Sequence, residues 1–336
     1  MKISRSLVSI FALSILFGTF LYNSVSAEAA SSNSAQGMQV SPTLVELNAA
    51  KGKTYNLTIK VTNVTNSNMQ YTSSVADFSA ANETGTPKIT VDENLSSASS
   101  IRTWASLDSK FTLATQKSKT VIAQITIPDN AEPGGHYGVL RFSGAAPQIE
   151  NTSTGVGLSA SAGVLVLIKV DGDITEKADI ASFYSSNSNQ KQNSIFESAP
   201  VGFITRIKNT GNVHIKPFGN IEIRDMFGSV VKTIPINSDK TNVLPKSTRL
   251  FESKTDSSWM FGVYTANLSL GYGTKGQALT STVTFWVVPY KIILAILFVL
   301  SSIIFVISRL LKVYKRNIIR NLKNETTIKK KTGRKG

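Results

Sequence analysis

The sequence predicts an all-β outer region of two tandem β-sandwiches, set between an N-terminal apolar leader and one C-terminal apolar helix. Three observations predict it. Apolar residues alternate with polar ones through the middle of the chain, a set of turn motifs occurs twice in the same order, and a long apolar run with at most one charge lies toward each end.

The composition bounds what such a chain can be. At 336 residues, 41% hydrophobic and 17% charged, it is long enough for two cores. Mean hydropathy near zero argues against bulk disorder. The absence of cysteine excludes disulfide scaffolds, thiolate metal sites, iron–sulfur clusters, thiol nucleophiles and a lipidated N-terminal cysteine. Two histidines leave almost no room for a histidine metal site, and no cofactor is expected.

Met1–Ala27 reads as a signal peptide. Lys2 and Arg5 form a basic start, Leu7–Leu21 is an uncharged and mostly apolar run, and Val25-Ser26-Ala27 offers small or apolar residues for cleavage. Residues 28–37 follow as a linker. The second apolar run, Val288–Ser308, has Lys291 as its only charge and is predicted to be a transmembrane helix, since its 21 residues cover about 30 Å. Trp286 and Tyr290 sit where an interfacial aromatic belt belongs, and Lys291 can snorkel outward.

The tail, 309–336, holds eleven Lys and Arg against Glu325. Arg309, Lys312, Lys315 and Arg316 would meet the inner interface, and the positive-inside rule places the tail in the cytoplasm. Leu310, Leu311, Tyr314, Ile318 and Leu322 recur at near-helical spacing, so the tail is either an amphipathic helix on the anionic inner leaflet or an unstructured basic segment. Membrane lipids are the expected partner of this part, in a single-pass cell-membrane protein whose N-terminal part faces outward. The tail contributes +10 and the leader +2 of the formal net charge of +15. The remainder is close to neutral, so no nucleic-acid partner is expected.

Between the ends, Tyr55, Leu57, Ile59 and Val61 face one way while Asn56, Thr58, Lys60 and Thr62 face the other. Val121, Ala123, Ile125 and Ile127 repeat that pattern, and Ile221, Ile223 and Asp225 do so less cleanly. Period-two runs bounded by Gly, Pro and Asn turns are half-buried antiparallel strands. Ser159–Val170 is more continuously apolar, which suits a strand buried on both faces.

The repeat supports two domains. The strand ending Asn63-Val64-Thr65-Asn66 resembles that ending Asn209-Thr210-Gly211-Asn212, Leu113…Lys117-Ser118 resembles Leu244-Pro245-Lys246-Ser247, and Gly135-His136-Tyr137 resembles Gly262-Val263-Tyr264. The spacing between copies shrinks from 146 to 127 residues, so the first copy carries an insertion, expected at Ser79–Thr103. Two Ig-like sandwiches of about seven strands each account for the length, at 38–173 and 174–287. A polar linker-like stretch is expected at Ser185–Ser194. Tyr137 and Tyr264, each two residues into a strand, suit the structural tyrosine corner of such folds.

Val40-Ser41-Pro42, the Asn63/Asn66 turn and Pro133-Gly134-Gly135-His136-Tyr137-Gly138 resemble the N-terminal domain of the WxL-interacting surface proteins. Asn209-Thr210-Gly211-Asn212-Val213-His214 and Phe227-Gly228 resemble the second domain of tandem Ig-like membrane proteins of ultra-small, host-attached bacteria. The resemblance implies a signal-bearing, C-terminally anchored bacterial envelope protein that binds peptidoglycan or a partner protein. No binding residue matches individually.

Chemistry is sparse. His136 lies in a Gly-rich turn and His214 after an Asn turn, both read as surface histidines without a nucleophile elbow nearby. Asp171-Gly172-Asp173 lacks the continuing acidic series of a calcium loop, and Gly155-Val156-Gly157 precedes no phosphate-binding helix. Leu244-Pro245-Lys246-Ser247-Thr248 lacks the ending of a sortase signal. A non-enzymatic surface binding or adhesion protein is therefore expected, with a cell-wall polymer or a surface protein as partner. The alternative is a structural or accessory subunit of an envelope complex. Ser79–Thr103, if a long loop, is the expected contact region.

Overall fold

The computed structural model describes residues 37–92, 97–145, 159–256 and 259–332. The predicted signal peptide, most of the following linker and Gly155-Val156-Gly157 lie outside them.

The first sandwich is built from β1 (Met38–Ser41), β2 (Leu44–Ala49), β3 (Thr54–Asn63), β4 (Met69–Ala80), β5 (Pro87–Thr90), β6 (Ala105–Ser106), β7 (Lys110–Leu113), β8 (Ser118–Thr126), β9 (Gly134–Ala145) and β10 (Ser159–Val170). One sheet has the order β1-β3-β8-β6; the other runs β2-β10-β9-β4-β5, with β7 also on β4. The alternation read from the sequence places the core: Ile59 lies opposite Val121 in the β3–β8 ladder, and both are buried with Leu57, Val61, Ala123, Ile125 and Ile127. Burying each such branched side chain contributes about 1.5–3 kcal/mol.

β10 is covered on both faces, as its continuous apolar run predicts. Val164, Val166, Ile168 and Val170 enter the main core, and Leu167 faces away from it into a separate cluster with Phe78 and Tyr137.

The second sandwich comprises β11 (Ala178–Ser186), β12 (Ile195–Phe196), β13 (Gly202–Asn209), β14 (Phe218–Asp225), β15 (Val230–Ile236), β16 (Thr248–Lys254), β17 (Gly262–Tyr272) and β18 (Gln277–Val287). Its sheets are β11-β13-β16 and β12-β18-β17-β14-β15. Phe203 and Phe285 meet edge to face across its core, with ring centroids 5.5 Å apart.

The two sandwiches share one topology. In each, the last strand forms a hairpin with its predecessor and also pairs in parallel with a short early strand, β10 with β2 and β18 with β12. The extra length of the first copy lies between β5 and β8, where the second passes directly from β15 to β16. This corrects the expected position. Ser79–Thr90 is the end of β4 and its hairpin with β5, not a long loop. Beyond it, Ile101 and Phe111 are buried in the core and Trp104 packs against it. Ser185–Ser194 is also not a linker, because it joins β11 to β12 inside the second sandwich and Ser185 and Ser186 are buried. The passage between sandwiches is the segment from Asp171 to Lys177.

After β18 only Val288-Pro289 intervenes before α1 (Tyr290–Thr332), an unbroken helix of 43 residues. Its segment Tyr290–Ile319 is long and apolar enough to cross a membrane, and none of the apolar window is covered by the rest of the chain. The basic tail is therefore helical as far as Thr332.

Candidate functional site

The repeated asparagines organise equivalent turns, and the one at Asn209 brings the sandwiches together. Asn63 and Asn209 end equivalent strands and are fully buried. Asn63 Nδ2 donates to the carbonyls of Ser67, Leu113 and Ala114, and its Oδ1 accepts from Thr65 N. Asn209 Nδ2 donates to the carbonyls of Val213 and Val243, and its Oδ1 accepts from Gly211 N. An amide carries both the donors and the acceptor that such a buried turn demands.

The Asn209 turn meets the interdomain segment and the first sandwich at once. Asn212 Oδ1 accepts from Thr175 N at 2.8 Å, its Nδ2 donates to Asp173 O, and its own carbonyl accepts from Gly135 N at 2.8 Å. Gly211 lies so close that an added Cβ would stand 2.1 Å from Thr175 O. Two residues on, the Tyr137 hydroxyl accepts from His214 N at 3.0 Å and shares a second hydrogen bond with His214 Nδ1 at 3.3 Å.

Charged contacts extend the junction. Lys216 and Asn242 both donate to the Glu46 carboxylate, Arg206 Nε lies 2.6 Å from Glu83 Oε2, and Leu250 N donates to Glu83 O. Burial pushes the Glu46 carboxyl up, but the hydrogen bonds from Lys216 and Asn242 outweigh it and hold the group below its usual value. Burial also pushes the His214 imidazole down to about 4 and raises the Tyr137 phenol, so both are neutral at ordinary pH.

These contacts frame a cleft of about 540 Å³ between the outer face of the β2-β10-β9-β4-β5 sheet and the chain from Asp239 to Arg249. Leu44, Phe78, Leu165 and Leu167 supply apolar wall, Lys216, Lys240 and Arg249 supply cationic groups, and Glu46 and Asp239 supply acidic ones. Lys216 is paired with Glu46. Arg249 donates to Asn242 O at 2.7 Å and stands over the Phe251 ring, and among the described residues it forms no ion pair. Burial lowers its guanidinium from the ordinary value, the mark of a charge held partly out of water. Such a wall can hold apolar side chains and direct an anionic group to Arg249.

A second cavity of about 520 Å³ adjoins it, near Asp77, His136 and Tyr137. His136 is not a surface turn residue as expected: it is 3% exposed, lies 4.4 Å from the Trp104 ring and donates through Nε2 to Glu132 O. His214 likewise belongs to the junction and not to a free turn. Asp77 is buried, accepting from Ser100 Oγ at 2.6 Å, with Arg102 Nε at 3.5 Å. Each histidine's hydrogen bonds thus go to groups other than a serine or threonine hydroxyl. Among the described residues no cluster of three metal-ligating side chains occurs.

Tyr264 bonds locally, its hydroxyl meeting the Phe261 backbone at 3.1 Å, as a structural corner residue should. Tyr137 does not: its bond crosses to the other sandwich. The residues expected at membrane interfaces divide into two groups. Trp286 is exposed on β18, Tyr290 opens α1, and Lys291 reaches Glu197 at 2.9 Å. Arg309, Lys312, Lys315 and Arg316 are exposed on α1 and begin about 27 Å further along the helix than Lys291, near the thickness of a bilayer core.

Two joined Ig-like β-sandwiches with an apolar C-terminal helix are the class that this fold defines. No protein-family profile matches the sequence, and no curated protein matches it either, so the resemblance to the WxL-interacting proteins has no support at the family level. Among solved structures, the chain is similar to the YadV chaperone at 9% identity, covering 74% of this chain and 100% of that one with a TM-score of 0.37. It is similar to the class 5 fimbriae chaperone CfaA at 13% identity, covering 73% and 98% with a TM-score of 0.38. The E. coli chaperone DraB gives 14%, 74% and 94%, with a TM-score of 0.35.

Proposed function

We propose that this chain is a membrane-anchored binding protein that holds a protein partner in the cleft between its sandwiches. The observation that carries the reading is the cleft: apolar wall from β2, β4 and β10 beside Arg249, which forms no ion pair among the described residues. An apolar wall favours a peptide segment with aliphatic side chains and a carboxylate over a cell-wall glycan. The apolar length of α1, with Lys291 and Arg309 bracketing a stretch without charge, supports a single span. The basic residues after it support a cytoplasmic tail and sandwiches on the outer side. Adhesion to wall polymer is the competing outcome.

The test is photocrosslinking from Leu165 in the full chain, in cells, with identification of what is captured. Reproducible capture of one protein, lost on Arg249→Ala, is expected. Retention on purified cell wall with no protein adduct would replace the protein partner by a wall polymer.

A further inference from the structure

At the end of the second sandwich from which α1 departs, large apolar side chains stand in water. Phe227, on the tip of the β14–β15 turn, is 86% exposed, Trp259 is 64% exposed and Trp286 is 50% exposed. Met226, Phe261 and Ile195 are exposed as well.

The ladders place them together. Asp225, the last residue of β14, pairs with Tyr264, while Gly262 and Val263 pair with Val287 and Trp286, and Ile195 pairs with Trp286. Met226 and Phe227 therefore emerge beside Phe261 and Trp286, and a Cβ on Gly262 would stand 2.6 Å from Met226 Cε.

The turn is built to hold this exposure. Asp225 Oδ1 accepts from Phe227 N and Ser229 N, each at 2.9 Å, and Gly228 takes a φ of 83°. Arg224 donates to Gly228 O, which puts a cation behind the tip. The neighbouring acids are engaged: Glu222 with Arg224, Asp256 with Lys232, and Glu197 with Lys291.

A rim of Phe, Trp and Met is costly in water and favourable at the boundary between headgroups and acyl chains. Only Val288-Pro289 separates it from the apolar helix, and that link is itself bonded, Val288 N to Phe196 O at 2.8 Å. Chain continuity therefore selects the occupant. We propose that this end of the second sandwich seats in the outer leaflet of the bilayer, with the Met226-Phe227 turn and the Trp259–Phe261 segment dipping into the interface around the helix. The inference rests on the membrane-anchor part of the reading above and adds a second, lipid-contacting surface.

The cysteine-free chain allows single spin labels. The full chain is reconstituted into phosphatidylcholine–phosphatidylglycerol vesicles at low protein density, with a label at Phe227→Cys, Phe298→Cys or Ile122→Cys. Oxygen, which enters lipid, and a water-soluble nickel chelate report the depth of each label. The Ile122→Cys label, on the first sandwich, should be open to nickel. The Phe298→Cys label, inside the helix, should be open only to oxygen. The Phe227→Cys label should show several-fold higher oxygen than nickel accessibility.

A nickel-accessible Phe227→Cys label beside an oxygen-accessible Phe298→Cys label would overturn the inference and leave the anchor standing. Nickel access at both positions would overturn both. A Phe227→Cys label shielded from both reagents would indicate a protein neighbour, such as a second copy, and would also overturn it.

Discussion

The hydroxyl of Tyr137, on the first sandwich, is shared between the backbone nitrogen and the ring Nδ1 of His214, on the second. One oxygen thus meets two groups of the other sandwich at once. It lies beside the apolar cluster of Phe78, Leu167 and Leu244. Removing it leaves a partly buried N–H without a partner. Tyr137→Phe should lower stability by about 1–2 kcal/mol in urea unfolding. An unchanged midpoint would show that the ring alone carries the contact.

Burial of His214 should make the protein acid-sensitive. His214 has a folded-state value of about 4, below the ordinary imidazole range, and burial depresses His136 as well. The unfolded chain therefore takes up protons first as pH falls. The stability tied to neutral His214 is complete above about pH 6.5 and declines as pH falls toward 4, by about 3 kcal/mol. The chain with His214→Gln should show a flatter stability profile across that window. An equal slope in both proteins would exclude His214 as its source.

Asn63→Asp and Asn209→Asp change one atom in each side chain and should be more damaging than their size suggests. Asn63 Nδ2 faces three carbonyl oxygens and Asn209 Nδ2 faces two. A carboxylate there turns donation into repulsion in a buried site. Each substitution should cost on the order of 3 kcal/mol, read from thermal denaturation at pH 8. Partial recovery at low pH, where the new acid is neutral, would identify charge as the cause.

Gly211→Ala tests the passage between the sandwiches. The new methyl group would meet backbone at Thr175 O and at Lys177 N, which no side-chain rotation can relieve. Protease cleavage between Asp171 and Lys177 should become several-fold faster, with both sandwiches surviving as fragments. Cleavage spread evenly over the chain would mean that the damage is global.

Much of this architecture was legible in the residues. Alternation located the β3 and β8 cores, the Asn63 and Asn209 motifs marked equivalent strand ends, and the more continuously apolar run of β10 announced two covered faces. The insertion was placed too early because the apolar residues that anchor it, Ile101, Trp104 and Phe111, are scattered among polar ones with no period. The junction was illegible for another reason. Glu46 meets Lys216 and Asn242, and Glu83 meets Arg206, across more than a hundred residues of chain. Nothing local to a glutamate declares such a partner. His136 and His214 misled likewise, because a glycine-rich or asparagine turn looks solvent-facing until Trp104 packs on the one and the first sandwich meets the other.

The second sandwich receives its two attachments at opposite ends. The first sandwich grips the turns that precede β14 and follow β15, whereas α1 leaves from the end where β14 stops, roughly 24 Å along the strand. A partner tugging on the cleft would therefore load this sandwich along its strands. β18, which leads into the helix, is held to β17 over eleven consecutive pairs. Force applied along that ladder shears all its hydrogen bonds together and cannot unzip them one at a time. On the proposed reading, the second sandwich would act as a clamp between the membrane and whatever the cleft holds.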